Sequence, residues 1–302
     1  MHLNAAVIGL GSMGGAMAST LARAGWKVTG FDPSPEARAR AAAEGISTVD
    51  TLQAVAGTPY VVLSLPSARI VALSVPILLG VPGAVAIIDT TTSEPETSAA
   101  MSALAEEHGA AFIDAPVSGG RAGALSGTLS AFVGATDAAL RAAAPILDAL
   151  TSSHRHIGGP GTGNVVKLLN NVLCAANLAS VGEALAVATA YGIDPSVAAA
   201  GISAASGASR VSTTMYPDWV LSGTHDSGFA LGLMARDAAL AITIATSRGE
   251  HPRLLAAASD LWQEGLEQLG PDADFTEIST TVAPALATRA GASATAQEQG
   301  NQ

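Results

Sequence analysis

The chain has 302 residues, of which 49% are hydrophobic and 13% charged, and its formal net charge is −11. A single hydrophobic core stops growing at roughly 250 to 300 residues, so this length predicts two domains with sizeable cores. The high apolar and low charged content excludes a disordered or fibrous chain. Because the chain has no basic run that would neutralise phosphates, its acidic balance argues against nucleic acid and anionic membranes as partners.

Short apolar segments alternate with helical segments through the first half of the chain. A strand over 5–9, a helix over 12–24 and a strand over 27–32 form a predicted βαβ unit. Further strands are predicted at 60–65, 84–89, 111–113 and 130–133, with helices such as 36–44 and 96–108 between them. Strands that alternate with helices indicate an α/β fold with a doubly wound, mostly parallel sheet.

Strand signals fade in the second half, which begins with a helix predicted over 164–191. We therefore predict an N-terminal α/β domain over 1–160 and an all-helical domain over 161–285 that binds substrate and mediates dimerisation. The active site is expected in the cleft between them. Residues 286–302 contain few apolar side chains and are predicted to form a disordered tail.

A glycine-rich loop follows the first predicted strand, where Gly9, Gly11 and Gly14 have the G-x-G-x-x-G spacing. Gly9 permits the tight turn, Gly11 lets the backbone approach a pyrophosphate, and Gly14 allows the helix to pack on the strand. Asp32 ends the second strand, where a carboxylate binds the ribose hydroxyls of adenosine and repels a 2'-phosphate. The pattern predicts a Rossmann domain that binds NAD in preference to NADP; the alternative is a purely structural turn.

Lys167 is one of two lysines in the chain, which has twelve arginines. An ammonium can lose its proton when desolvated, whereas a guanidinium effectively cannot, so lysine suits general acid/base work. Asn171 lies one helical turn later on the same face. Together with the glycine loop, this pair indicates a nicotinamide-dependent dehydrogenase. The alternative is a lysine whose stem covers apolar surface while its ammonium lies in water.

Two further polar segments follow predicted strands. Ser118 is followed by Gly119 and Gly120, so a hydroxyl and open amides could hold a carboxylate in a backbone nest. The alternative for this segment is a strand, a turn and a hairpin-like return. Hydroxyl residues cluster over 89–95, where some cap the next helix, and Thr92 is the one predicted to lie near the nicotinamide.

The chain's one cysteine, Cys174, cannot form an intramolecular disulfide, which fits a reducing cytoplasm. His154 and His156 alternate along a predicted strand with no acidic partner recurring beside them, so we predict no metal site. The N-terminus enters a strand directly instead of a charged and then apolar leader, and no apolar run reaches about 18 residues. We expect a cytoplasmic protein that is neither exported nor membrane-spanning.

Four blocks in order resemble the β-hydroxyacid dehydrogenases, in particular the 3-hydroxyisobutyrate dehydrogenase family, a 6-phosphogluconate dehydrogenase-like group. They are similar to that family's cofactor loop, substrate loop, catalytic helix and cofactor-closing helix, and comprise residues 9–18, 114–120, 161–171 and 229–241. Together they span about residues 5–285. The resemblance implies hydride transfer between NAD and a short 3-hydroxy acid, such as 3-hydroxyisobutyrate.

The resemblance also implies a role for individual residues. Lys167 would be the catalytic acid/base and Asn171 its partner at the substrate, with further substrate contacts from Ser118, Gly119 and Gly120. The cofactor would contact Gly9, Leu10, Gly11, Ser12, Met13, Gly14, Asp32, Leu65, Pro66, Thr92 and Arg236. Arg236 stands where the family usually has lysine, which changes reach and geometry. The alternative for Arg236 is an ion pair with a nearby carboxylate.

Three other functions stay open at this point. A reductase of the same family acting on tartronate semialdehyde (2-hydroxy-3-oxopropionate) is also compatible with the loop around Gly127. Imine reductases are similar in fold but lack the lysine, so Lys167 argues against them. A non-catalytic cofactor-binding module would tolerate loss of Lys167 or of the substrate loop, and this chain has both. The side chain of the substrate, the direction of reaction and the number of subunits in an expected homo-oligomer, dimer or tetramer, stay open.

Overall fold

The computed structural model describes residues 3–284 and residue 286. The chain divides into two compact units, Met1–Lys167 and Leu168–Gln302. The predicted domain limits, 1–160 and 161–285, stay predictions. Of the predicted tail, 286–302, Leu286 is buried and the other positions lie outside the described residues.

Nine strands form one sheet in the described part of the first unit. Most are short and buried, as strands covered on both faces must be. They are β1 (Asn4–Ile8), β2 (Lys27–Phe31), β3 (Ser47–Val49), β4 (Tyr60–Leu63), β5 (Ala86–Asp89), β6 (Ala111–Asp114), β7 (Val117–Ser118), β8 (Leu129–Gly134) and β9 (Thr151–Gly158).

The helices of the first unit connect these strands, together with a 3₁₀ turn at Leu52–Val55. Local sequence sets several of their starts: Ser34 and Thr136 each accept a hydrogen bond from a first-turn amide of the helix that follows. The helices are α1 (Ser12–Arg23), α2 (Pro35–Ala43), α3 (Ala68–Leu79), α4 (Pro95–Glu107), α5 (Gly120–Ser126) and α6 (Asp137–Leu150).

The sheet order is β3-β2-β1-β4-β5-β6-β8-β7, with β9 pairing to β8. The strands from β3 to β6 pair in parallel, β9 pairs in parallel with β8, and β8 pairs antiparallel with β6 and β7. The predicted doubly wound, mostly parallel sheet is confirmed. Since β1 lies between β2 and β4, the order reverses between β1 and β4, and ligands of such sheets bind outside the carboxyl ends of the strands at that point.

The segment after Ser118 returns antiparallel, because β8 pairs with β7 as in the hairpin-like alternative, but the connection between them contains a helix in place of a simple turn. This helix, α5, is bounded by Gly119 with φ 124° and by Gly127 with φ 69°. Alanine and leucine between these glycines favour a helical turn, and glycine is the residue that best tolerates the positive φ at both ends.

The described part of the second unit is built from helices, which confirms the predicted all-helical half. Its first helix, α7 (Thr162–Ala190), begins in the first unit and continues into the second. A π-helix at Val211–Leu221 and a 3₁₀ turn at Phe275–Glu277 accompany the remaining helices, which are α8 (Pro195–Ser203), α9 (Leu231–Ser247), α10 (Arg253–Leu269) and α11 (Ile278–Val282).

Within the part of the chain that the structure describes, α7 is the one helix long and apolar enough to cross a membrane, with a mean hydropathy of 1.6. Its apolar residues supply core instead: Leu168, Val172 and Leu178 are fully buried. Tyr216 Oη and Trp262 Nε1 donate hydrogen bonds to carbonyl oxygens of α7 from the π-helix and from α10, at 2.9 and 3.1 Å. These contacts make α7 the central helix of a folded unit.

Candidate active site

The glycine loop after β1 packs directly on the chain that follows β4. Gly9 has φ 89°, and a Cβ atom there would overlap the carbonyl oxygen of Ser64. A Cβ atom at Gly14 would overlap the carbonyl oxygen of Gly9. A Cβ atom at Gly11, by contrast, would meet nothing within 4 Å. The first and third glycines are therefore required by the protein's own packing, whereas Gly11 faces open space.

This open space lies at the N-terminus of α1. Gly11 is the N-cap of the helix, so no side chain caps the first-turn amides. Those amides and the helix dipole form a positive end that suits a pyrophosphate. Of the neighbouring predicted cofactor residues, Ser12 is exposed, Met13 is half-buried and Leu10 is buried. The loop therefore fits the phosphate part of a dinucleotide.

Asp32 is anchored beside this loop by two backbone hydrogen bonds. Its Oδ2 accepts from the Leu10 amide and its Oδ1 from the Ser34 amide, both at 2.8 Å. Arg38 donates to the Asp32 carbonyl oxygen at 2.7 Å and forms an ion pair with Asp50 at 3.1 Å. The carboxylate thus stands at the loop, and the nearest arginine of α2 is bound to the backbone and to an acid.

The predicted cofactor residues after β4 and β5 lie next to each other. The Leu65 amide donates to Thr91 Oγ1 at 3.1 Å, and Thr90 Oγ1 donates to the Leu63 carbonyl oxygen at 2.7 Å. Thr92 follows this pair of contacts and is half-buried, while Pro66 is exposed. The structure therefore brings the two strand ends together at the same edge as the glycine loop.

Lys167 and Ser118 meet in the first unit. The Lys167 Nζ donates to Ser118 Oγ at 3.0 Å, and Lys167 is only 8% exposed. The ammonium therefore does not lie in water as a lysine with a solvated head would. Gly119 and Gly120 follow Ser118 in the chain, have φ values of 124° and 60°, and are exposed. Because glycine has no side chain, nothing of these two residues covers their backbone amides beside the Ser118 hydroxyl.

Asn171 and Arg236 meet in the second unit through Asp237, a residue that the sequence analysis did not select. Asn171 Nδ2 donates to Asp237 Oδ2 at 2.7 Å, while Arg236 Nε and Nη2 donate to Asp237 Oδ1 at 3.0 and 2.7 Å. Asp237 is 1% exposed. The ion pair that was the alternative for Arg236 is present, and its predicted contact with the cofactor stays a prediction.

Two buried carboxylates, Asp89 and Asp114, were also missed by the sequence analysis. They end β5 and β6 and are register partners, and both are fully buried. Burial raises the pKa of Asp89 from 3.8 to about 7 and the pKa of Asp114 from 3.8 to about 6, against the opposing effect of hydrogen bonds from amides. The only signal in the sequence is an aspartate that closes an apolar strand.

The raised pKa of Asp89 predicts that the protein loses stability between about pH 4 and pH 7. The folded protein holds protons there that the unfolded chain releases, so the free energy of unfolding falls as pH rises. Asp89→Asn cannot ionise, and its Oδ1 can still accept the 3.0 Å hydrogen bond from the Thr91 amide. We expect calorimetry to give a flatter dependence of Tm on pH for this variant, and a higher Tm than wild type at pH 8.

The matched control is Asp148→Asn, which neutralises an exposed carboxylate on α6. Its Tm should follow the wild-type curve. If Asp89→Asn showed the wild-type slope as well, burial of Asp89 would not be the source of the pH dependence.

A doubly wound sheet with an open glycine loop after its first strand and an anchored carboxylate after its second is typical of a dinucleotide-binding domain. Two family profiles cover the chain: residues 4–158 match the NAD binding domain of 6-phosphogluconate dehydrogenase, and residues 161–282 match the profile described as NAD-binding of NADP-dependent 3-hydroxyisobutyrate dehydrogenase. The chain belongs to the β-hydroxyacid dehydrogenase family.

Individual relatives agree with this assignment. The chain is 33% identical to 2-(hydroxymethyl)glutarate dehydrogenase of Eubacterium barkeri over 87% of this chain and 89% of that protein. It is 34% identical to 3-hydroxyisobutyrate dehydrogenase of Pseudomonas aeruginosa, over 85% and 90%. The solved structure of Mycobacterium tuberculosis 3-hydroxyisobutyrate dehydrogenase with L-serine is similar with a TM-score of 0.86 and 30% identity, over 93% of this chain and 99% of that one.

These comparisons confirm several predictions made from the sequence. The family resemblance is confirmed, NAD is the cofactor, and the chain is an oxidoreductase that acts on CH-OH groups of hydroxy acids. The roles of individual site residues stay predictions.

Proposed function

We propose that the chain catalyses reversible hydride transfer between NAD and the carbinol carbon of a short 3-hydroxy acid such as 3-hydroxyisobutyrate. The observation that carries this proposal is the part-buried hydrogen bond between Lys167 Nζ and Ser118 Oγ, next to the exposed residues Gly119 and Gly120. A 3-hydroxy acid has a hydroxyl group and a carboxylate. The lysine amine can transfer the proton of the hydroxyl, and the backbone amides can bind the carboxylate.

Bound NAD supplies the hydride acceptor of the reaction, and the protein supplies the rest. Lys167 takes the proton of the substrate hydroxyl in the oxidative direction and returns it in the reductive direction, which is worth about 10² to 10⁴ in rate. Ser118 and the amides of Gly119 and Gly120 hold the carboxylate, so that the hydroxyl is oriented at the lysine.

Asn171 lies one turn after Lys167 in α7, and we assign it to the substrate as well. Its side-chain nitrogen carries two hydrogens, of which one is donated to Asp237 at 2.7 Å. The second is the one proposed to reach the substrate. Arg236 holds Asp237 through Nε and Nη2, and its contact with the cofactor is proposed from the family resemblance.

A panel of substrates tests this function against the alternatives. The purified protein is assayed with 3-hydroxyisobutyrate, L-serine and 2-(hydroxymethyl)glutarate in the oxidative direction, and with tartronate semialdehyde and a cyclic imine in the reductive direction, each with NAD or NADP forms. We expect the highest kcat/KM for a 3-hydroxy acid with NAD. A higher value for tartronate semialdehyde or the imine would replace the proposal, and NAD binding with no turnover would indicate a non-catalytic module.

Asp32 carries a separate prediction about cofactor preference. Asp32→Asn removes the charge that repels a 2'-phosphate, so the ratio of kcat/KM for NAD over NADP should fall by about tenfold, or about 1.4 kcal/mol. The control is Asp148→Asn, which makes the same change at an exposed position of α6 and should leave the ratio unchanged. A wild-type enzyme that prefers NADP would refute this role for Asp32.

We also propose a homo-oligomer, a dimer or tetramer, in the cytoplasm. The second unit exposes large apolar side chains, and burial of apolar surface drives most protein–protein association. They include Leu173, Val187, Tyr191, Val197 and Leu254, each more than half exposed. A single, half-buried cysteine supports a reducing compartment.

A further inference from the structure

Asp114 connects the end of β6 to the beginning of the helix that carries Lys167. Its Oδ1 accepts from the Gly161 amide at 2.7 Å and its Oδ2 accepts from the Asn164 amide at 2.9 Å. These amides belong to the first turn of α7 and the residue before it, where a helix has no acceptors of its own. Lys167 follows Asn164 by three residues, so the contact is made within one turn of the lysine.

The carboxylate has no room to move. A Cβ atom at Gly134 would overlap Asp114 Oδ1, and one at Gly163 would come within 2.8 Å of Oδ2. Because neither glycine has a side chain, the backbones of β8 and of α7 can pack directly against the carboxylate. A group enclosed in this way fixes the position of the helix end to which it is bonded.

The first turn of α7 is held from a second side by Asn164, which is fully buried. Its Oδ1 accepts from the Ser93 amide at 3.0 Å, and its Nδ2 donates to Ser98 Oγ at 3.0 Å. These contacts tie α7 to the start of α4. Because they hold the helix close to its beginning, they act on the same turn as Asp114.

Asp114 and Ser118 lie on the same short segment of the chain, at the end of β6 and in β7. Asp114 pairs with Gly134 of β8, and Ser118 pairs with Ser130 of the same strand. One short segment therefore carries both the carboxylate that anchors α7 and the hydroxyl that meets Lys167. The 3.0 Å contact between Lys167 and Ser118 is the result of both placements.

We propose that Asp114 is a positioning residue for the reaction, which holds the first turn of α7 so that Lys167 Nζ stays buried within hydrogen-bonding distance of Ser118 Oγ. This inference rests on the proposed function for its catalytic consequence. Its structural content, the placement of Lys167, can be measured without any substrate.

Asp114→Asn is the primary variant, because it keeps the shape of the side chain. An amide has one oxygen, so its nitrogen must face the amide of Gly161 or Asn164, and one donor loses its acceptor. We expect kcat for the best 3-hydroxy acid to fall by about 10- to 100-fold, with the NAD dissociation constant within about twofold of wild type. Asp89→Asn is the control, since it changes an equally buried aspartate that accepts a hydrogen bond from the Thr91 amide, a residue outside α7.

The second readout uses the fact that Lys27 and Lys167 are the only lysines of the sequence. Each protein is treated with a limiting amount of acetic anhydride, and acetylation of the two lysines is compared by mass spectrometry. Lys27 is exposed and serves as the internal reference. In wild type and Asp89→Asn, Lys167 should react far more slowly than Lys27, and in Asp114→Asn the Lys167-to-Lys27 ratio should rise by about tenfold.

Ser98→Ala provides the test if Asp114→Asn does not fold. It removes the acceptor that Asn164 Nδ2 contacts at 3.0 Å and leaves the longer 3.4 Å contact with Ser93 Oγ, so it should raise the acetylation ratio in the same direction by a smaller factor. An unchanged ratio in the folded variants would overturn the positioning role, as would a loss of NAD affinity equal to the loss of kcat. A raised ratio in an enzyme that oxidises no hydroxy acid would refute the proposed function and leave the positioning role standing.

Discussion

Lys167→Ala lowers kcat by about 10²- to 10⁴-fold, while the dissociation constant for NAD stays within about twofold of the wild-type value. This result is expected because the lysine is assigned to the substrate proton and not to the cofactor. Its ammonium donates to Ser118 Oγ at 3.0 Å, and Lys167 is not among the residues that form the glycine loop. The measurement is steady-state turnover together with NAD binding by fluorescence titration.

Two further variants separate proton transfer from simple charge. Lys167→Arg keeps the positive charge but cannot release a proton near neutral pH, so it should lose about as much turnover as the alanine variant. Lys27→Ala removes the other lysine, an exposed residue of β2, and should turn over like wild type. A Lys167→Ala variant that kept more than about a tenth of wild-type kcat would contradict a general acid/base role.

Gly11→Ala should weaken NAD binding by about 100-fold without changing the stability of the cofactor-free protein. The Cβ atom of this variant would meet nothing within 4 Å among the residues that the structure describes, and Gly11 has an extended backbone conformation that alanine adopts readily. The added methyl group should therefore leave the described fold undisturbed and collide with a ligand that approaches the backbone at this point. Isothermal titration with NAD and thermal unfolding of the free protein measure the two effects.

The neighbouring glycines provide the controls for this prediction. At Gly15 a Cβ atom would make an ordinary 3.5 Å contact with the Leu10 carbonyl oxygen, so Gly15→Ala should bind NAD normally. At Gly14 it would overlap the Gly9 carbonyl oxygen, so Gly14→Ala should destabilise the fold itself. Wild-type NAD affinity in Gly11→Ala would show that the pyrophosphate does not lie on this loop.

The alternation of strands and helices in the first unit could be read from the sequence because strands buried on both faces are continuous apolar runs. The elements that were not predicted lack such a signal. β3 has three residues, and α5 is seven residues long and contains two glycines, so neither is long enough to show a period. The segment of α5 was considered as a hairpin-like return because its glycines are equally typical of turns.

In the candidate site, too, the residues that form local patterns could be predicted from the sequence, whereas the residues that act through contacts distant in sequence could not. The glycine spacing and the Lys167-Asn171 pair are local patterns on one loop and one helix. Asp237 bonds Asn171 across 66 positions of the sequence, and Asp114 bonds Gly161 across 47. Contacts at such separations depend on how the elements pack, and one sequence contains no periodicity that reports them.

The continuity of α7 has a consequence for how this gene can recombine with its relatives. A joint at 167/168, where the two compact units meet, would cut a continuous helix between its sixth and seventh residues. A joint at 159–160, between the two family profiles, leaves the helix whole but places Lys167 in the second segment and Ser118 in the first. A chimera made there inherits its proposed proton carrier from one parent and the serine that meets it from the other, so the two parents must be matched at that hydrogen bond.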